Sequence, residues 1–166
     1  MESKTTMMSG AVAEELLQLV SFKIGAEEFG VDITKAQEIN RMVEITKAPQ
    51  APNYVEGVIN LRGKVIPVVE LRKRFGLPVA ERNSETRIVN VEIGGQEIGM
   101  VVDAVTEVLR ITSDSVEPPS SVITTADSGY LKGIAKLDDR LIIMLDLEQV
   151  LSTAEKEVLS GTDLAA

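Results

Sequence analysis

Short apolar runs, each closed by a turn signal, recur along this chain and set its expected elements. Leu19–Ile24 and Phe29–Ile33 flank Gly25–Glu28, the pattern of a β-hairpin whose loop contains glycine. Arg87–Ile93 and Ile98–Val102 flank Gly94–Glu97 in the same way. Val55–Leu61 and Val65–Leu71 lie either side of a turn near Arg62-Gly63-Lys64, and Leu131–Leu137 and Arg140–Leu147 either side of Asp138-Asp139. The run Val65-Ile66-Pro67-Val68-Val69 does not alternate, which predicts a strand covered on both faces. Pro67 donates no ladder hydrogen bond, so that strand is expected at an edge or a bulge. Helices are minor. Leu71–Phe75, stopped by Gly76, reads as one turn with cationic side chains at its C-terminal end. Leu147, Val150, Leu151, Ala154 and Val158 fall at helical spacing, ending near Gly161. Prolines mark Thr46–Asn53 and Thr112–Gly129 as loops, and 1–15 and 159–166 read as flexible tails.

The runs repeat in order. Displaced by 69 positions, Ile24-Gly25-Ala26-Glu27-Glu28-Phe29-Gly30 lies over Ile93-Gly94-Gly95-Gln96-Glu97-Ile98-Gly99, and Glu38 and Arg41 over Glu107 and Arg110. Displaced by 76, Val55-Glu56-Gly57-Val58-Ile59 lies over Leu131-Lys132-Gly133-Ile134-Ala135, Lys64 over Arg140, and Glu70-Leu71 over Asp146-Leu147. Such ordered matches indicate a tandem duplication with a longer connection in the second copy. Several short strands per copy predict a mainly β fold of two small pseudo-repeated barrels. One barrel of that size could not bury such runs alone, so the copies should share an apolar seam.

Composition narrows the chemistry. The 166 residues include no cysteine, which excludes disulfides, zinc knuckles and thiol chemistry. They include no histidine, which removes imidazole acid–base catalysis, His-activated nucleophiles and most transition-metal sites. A formal charge of −9 with 3 % aromatic residues does not suit nucleic acid. The longest apolar runs fall far short of a membrane span, and Met1–Glu15 lacks a signal-peptide stretch. A soluble cytoplasmic protein without cofactor or metal is the expectation. Glu27-Glu28 and Asp138-Asp139 do not suggest a catalytic pair, because both fall at predicted turns and match no calcium loop.

The segment Pro49-Gln50-Ala51-Pro52-Asn53-Tyr54-Val55-Glu56-Gly57-Val58-Ile59-Asn60-Leu61-Arg62-Gly63-Lys64-Val65-Ile66-Pro67-Val68-Val69-Glu70-Leu71 resembles the signature of the CheW family, which includes the CheW adaptors and the regulatory domain of the CheA kinase. In weaker form the resemblance runs from about Gln18 to about Leu151. It implies two five-stranded, SH3-like barrels in one domain over 16–151, with subdomains of about 16–80 and 85–151 and strand exchange between them left open. It also implies a non-enzymatic scaffold joining the cytoplasmic tip of methyl-accepting chemoreceptors to the CheA histidine kinase. Such a scaffold would be a monomer alone and would enter arrays with its partners at the membrane receptors.

The residues that would carry those contacts each have a plainer reading. Arg62 stands where copy two has the turn residue Asp138, and turn chemistry is expected to ask nothing of that position because Gly63 alone can supply a positive φ. An ordinary surface arginine pairing with a carboxylate explains it equally well from the residues alone; the resemblance implies contact with both receptor and kinase. Glu38 and Ile39 are implied receptor contacts, although the repeat of Glu38 as Glu107 also suits a bond within the barrel. Gly57, Val58, Ile59 and Asn60 complete the implied receptor set, and Ile33, Gly63 and Lys64 join Arg62 in the kinase set. Gly57 and its repeat Gly133 equally suit a bulge or close strand approach. Arg72-Lys73-Arg74 reads as a solvated helix end with no assigned role. Other functions remain open: a CheW-like module of a CheA- or CheV-type chain, a small-ligand-binding double barrel, or an enzyme using carboxylates and a hard cation.

Overall fold

The computed structural model describes residues 16–47, 49, 51–118 and 131–151. The first copy supplies β1 (Leu16–Ile24), β2 (Glu27–Asp32), β3 (Ala36–Arg41), β4 (Val55–Leu61), β5 (Lys64–Glu70) and the turn of helix α1 (Leu71–Arg74). The second supplies β6 (Arg87–Ile93), β7 (Gln96–Val102), β8 (Ala104–Thr112), the two-residue β9 (Val116–Glu117), β10 (Leu131–Leu137), β11 (Arg140–Leu145) and α2 (Leu147–Val150). The expected C-terminal helix needs correction, because it stops after one turn at Leu151, whose backbone is extended (φ −116°, ψ 139°). The positions after 151, and most of the expected loop 112–129, lie outside the described residues.

Each predicted hairpin forms, and the loops are tighter than the sequence suggested. Ile24 pairs with Glu27 and Ile93 with Gln96, leaving two-residue turns where four-residue loops were expected. Positive φ at Gly25 (64°), Gly94 (61°) and Gly95 (78°) permits this tightening.

The strands then sort into two sheets that ignore the copy boundary. One has the order β8-β1-β2-β11-β10-β9 and the other β3-β6-β7-β5-β4. The first hairpin of copy one therefore pairs with β8 and, in parallel, with β11 of copy two. The first hairpin of copy two pairs with β3 and, in parallel, with β5 of copy one. Neither sheet is drawn from 16–80 or from 85–151 alone. The chain passes between sheets at residues 33–35 and again at Asp103, which Gly25 N and the fork of Arg72 both grip at 2.6–3.0 Å.

Burial follows from this exchange. Val20, Phe22 and Ile24 of β1 meet their repeat mates Val89, Val91 and Ile93 of β6 in one large apolar cluster shared by the sheets. The alternate side chains point the other way. Leu19, Ile111, Ala135, Ile142 and Met144 fill the six-stranded barrel, and Ile59, Ile66, Val68, Ile88 and Val101 fill the five-stranded one. Strands such as β1 and β6 are thus covered on both faces, which is why their sequences do not alternate.

Two further expectations need correction. β5 is not an edge strand, since it lies between β4 and β7, although the β4–β5 register does shift next to Pro67, between Val55 and Gly57. Pro67 is tolerated because the β7 ladder begins only at Val68, leaving that side of Pro67 without a partner that needs a donor. The basic triplet is not a solvated helix end either. Arg72 forks onto Asp103, Lys73 Nζ donates to Glu56 at 2.8 Å, and Arg74 lies over the Tyr54 ring at 5.9 Å.

Candidate functional site

The end of the five-stranded barrel gathers most of the residues singled out above. Leu61 pairs with Lys64, so Arg62 and Gly63 alone form the β4–β5 turn. Arg62 has φ 52° and Gly63 φ 82°, the geometry of a type I′ hairpin that needs positive φ at both central positions. The sequence argument that glycine alone could meet this need is therefore wrong. The turn does ask something of position 62, and arginine is an uncommon answer. Asn60 Oδ1 secures the turn by accepting from Gly63 N at 3.0 Å.

From this turn Arg62 reaches β3 and holds Glu38 in a two-pronged pair, Nη2 to Oε1 at 2.6 Å and Nη1 to Oε2 at 3.0 Å. The hydrogen bond from Arg62 keeps the Glu38 carboxyl below its ordinary pKa, and Glu38 in turn raises that of Arg62. The Arg62 side chain is still 70 % exposed, against 29 % for Glu38. Lys64 Nζ donates to Glu97 Oε1 at 3.0 Å, and the other oxygen of Glu97 accepts from the buried Asn90. Ile39 and Val65, beside this charged rim, are exposed apolar side chains.

The other candidates fall elsewhere. Gly57 sits at a register shift of β4 with φ 147°, and a Cβ there would lie 2.1 Å from Thr46 O, whose backbone bridges Val58. Its backbone role is thus sufficient to require glycine. Val58 is half-buried against the shared core, and Ile59 is fully buried inside the barrel, so any part Ile59 plays in a contact is through positioning its neighbours. Ile33 also packs on the shared core, at the crossing between sheets, where its N–H donates to Gln18 O at 3.0 Å.

The matching end of the six-stranded barrel shows what the sequence reading missed. Arg140, the repeat mate of Lys64, donates Nη2 and Nε to Glu28 at 2.6 and 3.2 Å, and Nη1 to Glu107 at 2.9 Å. Burial opposes ionisation of Glu28, but the bonds from Arg140 and Thr106 outweigh it and hold the carboxyl below its ordinary range. Glu28 and Glu97 are repeat mates, as are Glu38 and Glu107. Each barrel end therefore carries the same two carboxylates. The signal was present in the duplicated register: charges recurring at all three positions imply a charged network in each copy. Among the described residues no group of three or more His, Cys, Asp or Glu is arranged to hold a metal ion, and no helix is long and apolar enough to cross a membrane.

Two sheets built by strand exchange between the repeated copies define the class as an intertwined double β-barrel. Residues 18–155 match the model of the CheW-like domain. The chemotaxis protein CheW of Helicobacter pylori is 40 % identical over 139 residues, covering 83 % of each chain. That of Klebsiella aerogenes is 33 % identical over 138 residues, again 83 % of each. The crystal structure of the scaffolding protein TtCheW from Thermoanaerobacter tengcongensis superposes with a TM-score of 0.79 at 43 % identity, covering 86 % of this chain and 97 % of that one. The chain belongs to the CheW-like family and is a non-enzymatic chemotaxis scaffold.

Proposed function

We propose that this chain couples the cytoplasmic tip of methyl-accepting chemoreceptors to the CheA histidine kinase, acting in the cytoplasm and recruited to receptor arrays. The observation that carries this reading is Arg62. It stands on an exposed turn in a backbone conformation that arginine seldom adopts, pre-oriented by Glu38, and exposed apolar Ile39 and Val65 follow Glu38 and Lys64 along β3 and β5. A planar fork beside exposed apolar side chains is the composition of a binding hot spot. Glu38, Ile39, Gly57, Val58, Ile59, Asn60 and Arg62 serve the receptor, by contact or by shaping the surface. Ile33, Arg62, Gly63 and Lys64 serve the regulatory domain of the kinase. The small-ligand reading is weaker, because the crevices lined by Asp32 and Lys132 have volumes of about 40 and 60 Å³, room for a few waters.

The test is co-sedimentation with a receptor signalling fragment, with and without the kinase, for the parent and Arg62→Ala. Arg62→Ala is expected to bind roughly thirtyfold more weakly while melting as the parent does. Parent-like binding of both partners by Arg62→Ala, or a loss traceable to unfolding, would return Arg62 to an ordinary surface role.

A further inference from the structure

After α1 the chain runs over residues 76–86 without regular structure, with 78–85 all exposed, and so joins copy one to copy two. Arg82 reaches back from this connector. Its Nη2 donates to Glu56 Oε1 at 2.6 Å and lies 3.6 Å from Oε1 of Glu70, which is buried where β5 meets α1. The other oxygen of Glu56 takes Lys73 Nζ. Burial pushes the Glu70 carboxyl up, Glu56 adds to that, and Arg82 opposes both.

The duplication shows why a connector residue is needed here. The repeat mate of Glu56 is Lys132 and that of Glu70 is Asp146. Lys132 and Asp146 line one crevice with Asp32, whose carboxylate Lys132 attracts, and Asp146 caps α2 by accepting from Glu148 N at 3.1 Å. In copy two a cation, Lys132, therefore stands on the strand itself, in the same crevice as Asp146. In copy one that lysine is a glutamate, so two carboxylates stand side by side and their cations come from outside the strand, Lys73 from α1 to Glu56 and Arg82 from the connector to both.

We propose that Glu56 and Glu70 form an electrostatic catch and that Arg82 makes the connector a strap, clamped to the five-stranded barrel and released when that guanidinium is lost or displaced from the two carboxylates. The strap has weaker ties at each end. Arg72 Nη1 donates to Pro78 O at 2.8 Å, and the Asn83–Thr86 turn closes through Thr86 N to Asn83 O at 3.2 Å. Glu56 immediately precedes Gly57 and Val58, so the catch adjoins the segment proposed for partner contact.

Amide hydrogen exchange on the full chain tests this, with the amides of Asn83, Glu85 and Thr86 as reporters because each is hydrogen-bonded within the strap. In Arg82→Gln they are expected to exchange about tenfold faster, with the barrel amides of Ile59 and Ile88 accelerated far less. Glu56→Lys, which restores the lysine of the other copy, should loosen the same three amides by repelling Arg82. Raising NaCl to about 1 M on the parent should loosen them in part. Unchanged protection in Arg82→Gln would overturn the catch and leave the Arg72 contact and the local turn as what holds the connector. Acceleration that spreads equally to Ile59 and Ile88 would also overturn it, by making Arg82 a general stabiliser.

Discussion

The two barrel ends carry the same pair of carboxylates and neutralise them differently. In the six-stranded barrel Arg140, 36 % exposed, serves both Glu28 and Glu107. In the five-stranded barrel its mate Lys64 has a single ammonium and holds only Glu97, so Glu38 is held by Arg62 from the turn. Lysine is a point charge, whereas the guanidinium presents several donors in a fixed fork. Lysine at the position where the other copy has arginine thus calls for a second cation, and that cation, Arg62, stands on the exposed hairpin turn. A closed network and an open one thus stand at equivalent positions of the two copies. Only the open one leaves an arginine that can add a partner while remaining oriented.

The most drastic way to break this comparison is to remove one copy. Residues 1–80 alone lack β6, β7, β8 and β11, so both sheets lose interior strands. The fragment should be unfolded or aggregate, read by the absence of a cooperative melt and of dispersed amide resonances. A folded, cooperatively melting fragment would show that the copies are independent and that the exchange is incidental.

The next largest effect separates the two bulge glycines. Gly57→Ala meets a backbone carbonyl at 2.1 Å in a backbone conformation that side chains rarely adopt, and should cost about 3 kcal/mol. Gly133→Ala meets the Val116 side chain at 2.8 Å and Glu117 O at 3.0 Å, without positive φ, and should cost less. Equal denaturation midpoints for the two variants would mean that the Thr46 bridge gives way as easily as β9 does.

Smaller effects sharpen the charge comparison. Arg140→Ala strands Glu28, whose side chain is 12 % exposed, and should cost about 1 kcal/mol at neutral pH. Because the folded pKa of Glu28 lies below its ordinary value, its stabilising contribution is present above the ordinary carboxylate pKa and is lost as pH falls through the lowered one. In Arg140→Ala burial remains while the main lowering bonds are gone, so the Glu28 carboxyl resonance should titrate at higher pH than in the parent. An unmoved titration would assign the depression to Thr106 instead. Last, Arg62→Ala should leave the melting temperature unchanged, since an exposed pair adds little to stability. A drop as large as that of Arg140→Ala would show that the open end is as structural as the closed one.

Much of this molecule is legible in its sequence. The duplication, the four main hairpins, the short helix before Gly76 and the exclusion of cysteine and histidine chemistry follow from local pattern and composition. The reason is physical: the two strands of a hairpin are chain neighbours, and their pairing depends on alternation and on a glycine that allows positive φ. The charged rim was half legible, because Glu38, Arg62 and Lys64 stood out while Glu97 and Arg140 were seen only as repeat matches. What the tertiary structure alone decided is the partner of each hairpin. The copies carry nearly the same apolar pattern, so pairing β1 with β3 or with β8 looks equivalent along the chain. In the fold the degeneracy is resolved in favour of exchange, with Val20, Phe22 and Ile24 meeting Val89, Val91 and Ile93 in the shared core. Exchange in turn brings Arg140 to Glu28 from 112 positions away, and turn geometry with barrel closure brings Arg62 to Glu38. Ion pairs of such separation leave no periodic trace in a sequence, because they depend on where the folded backbone places two side chains.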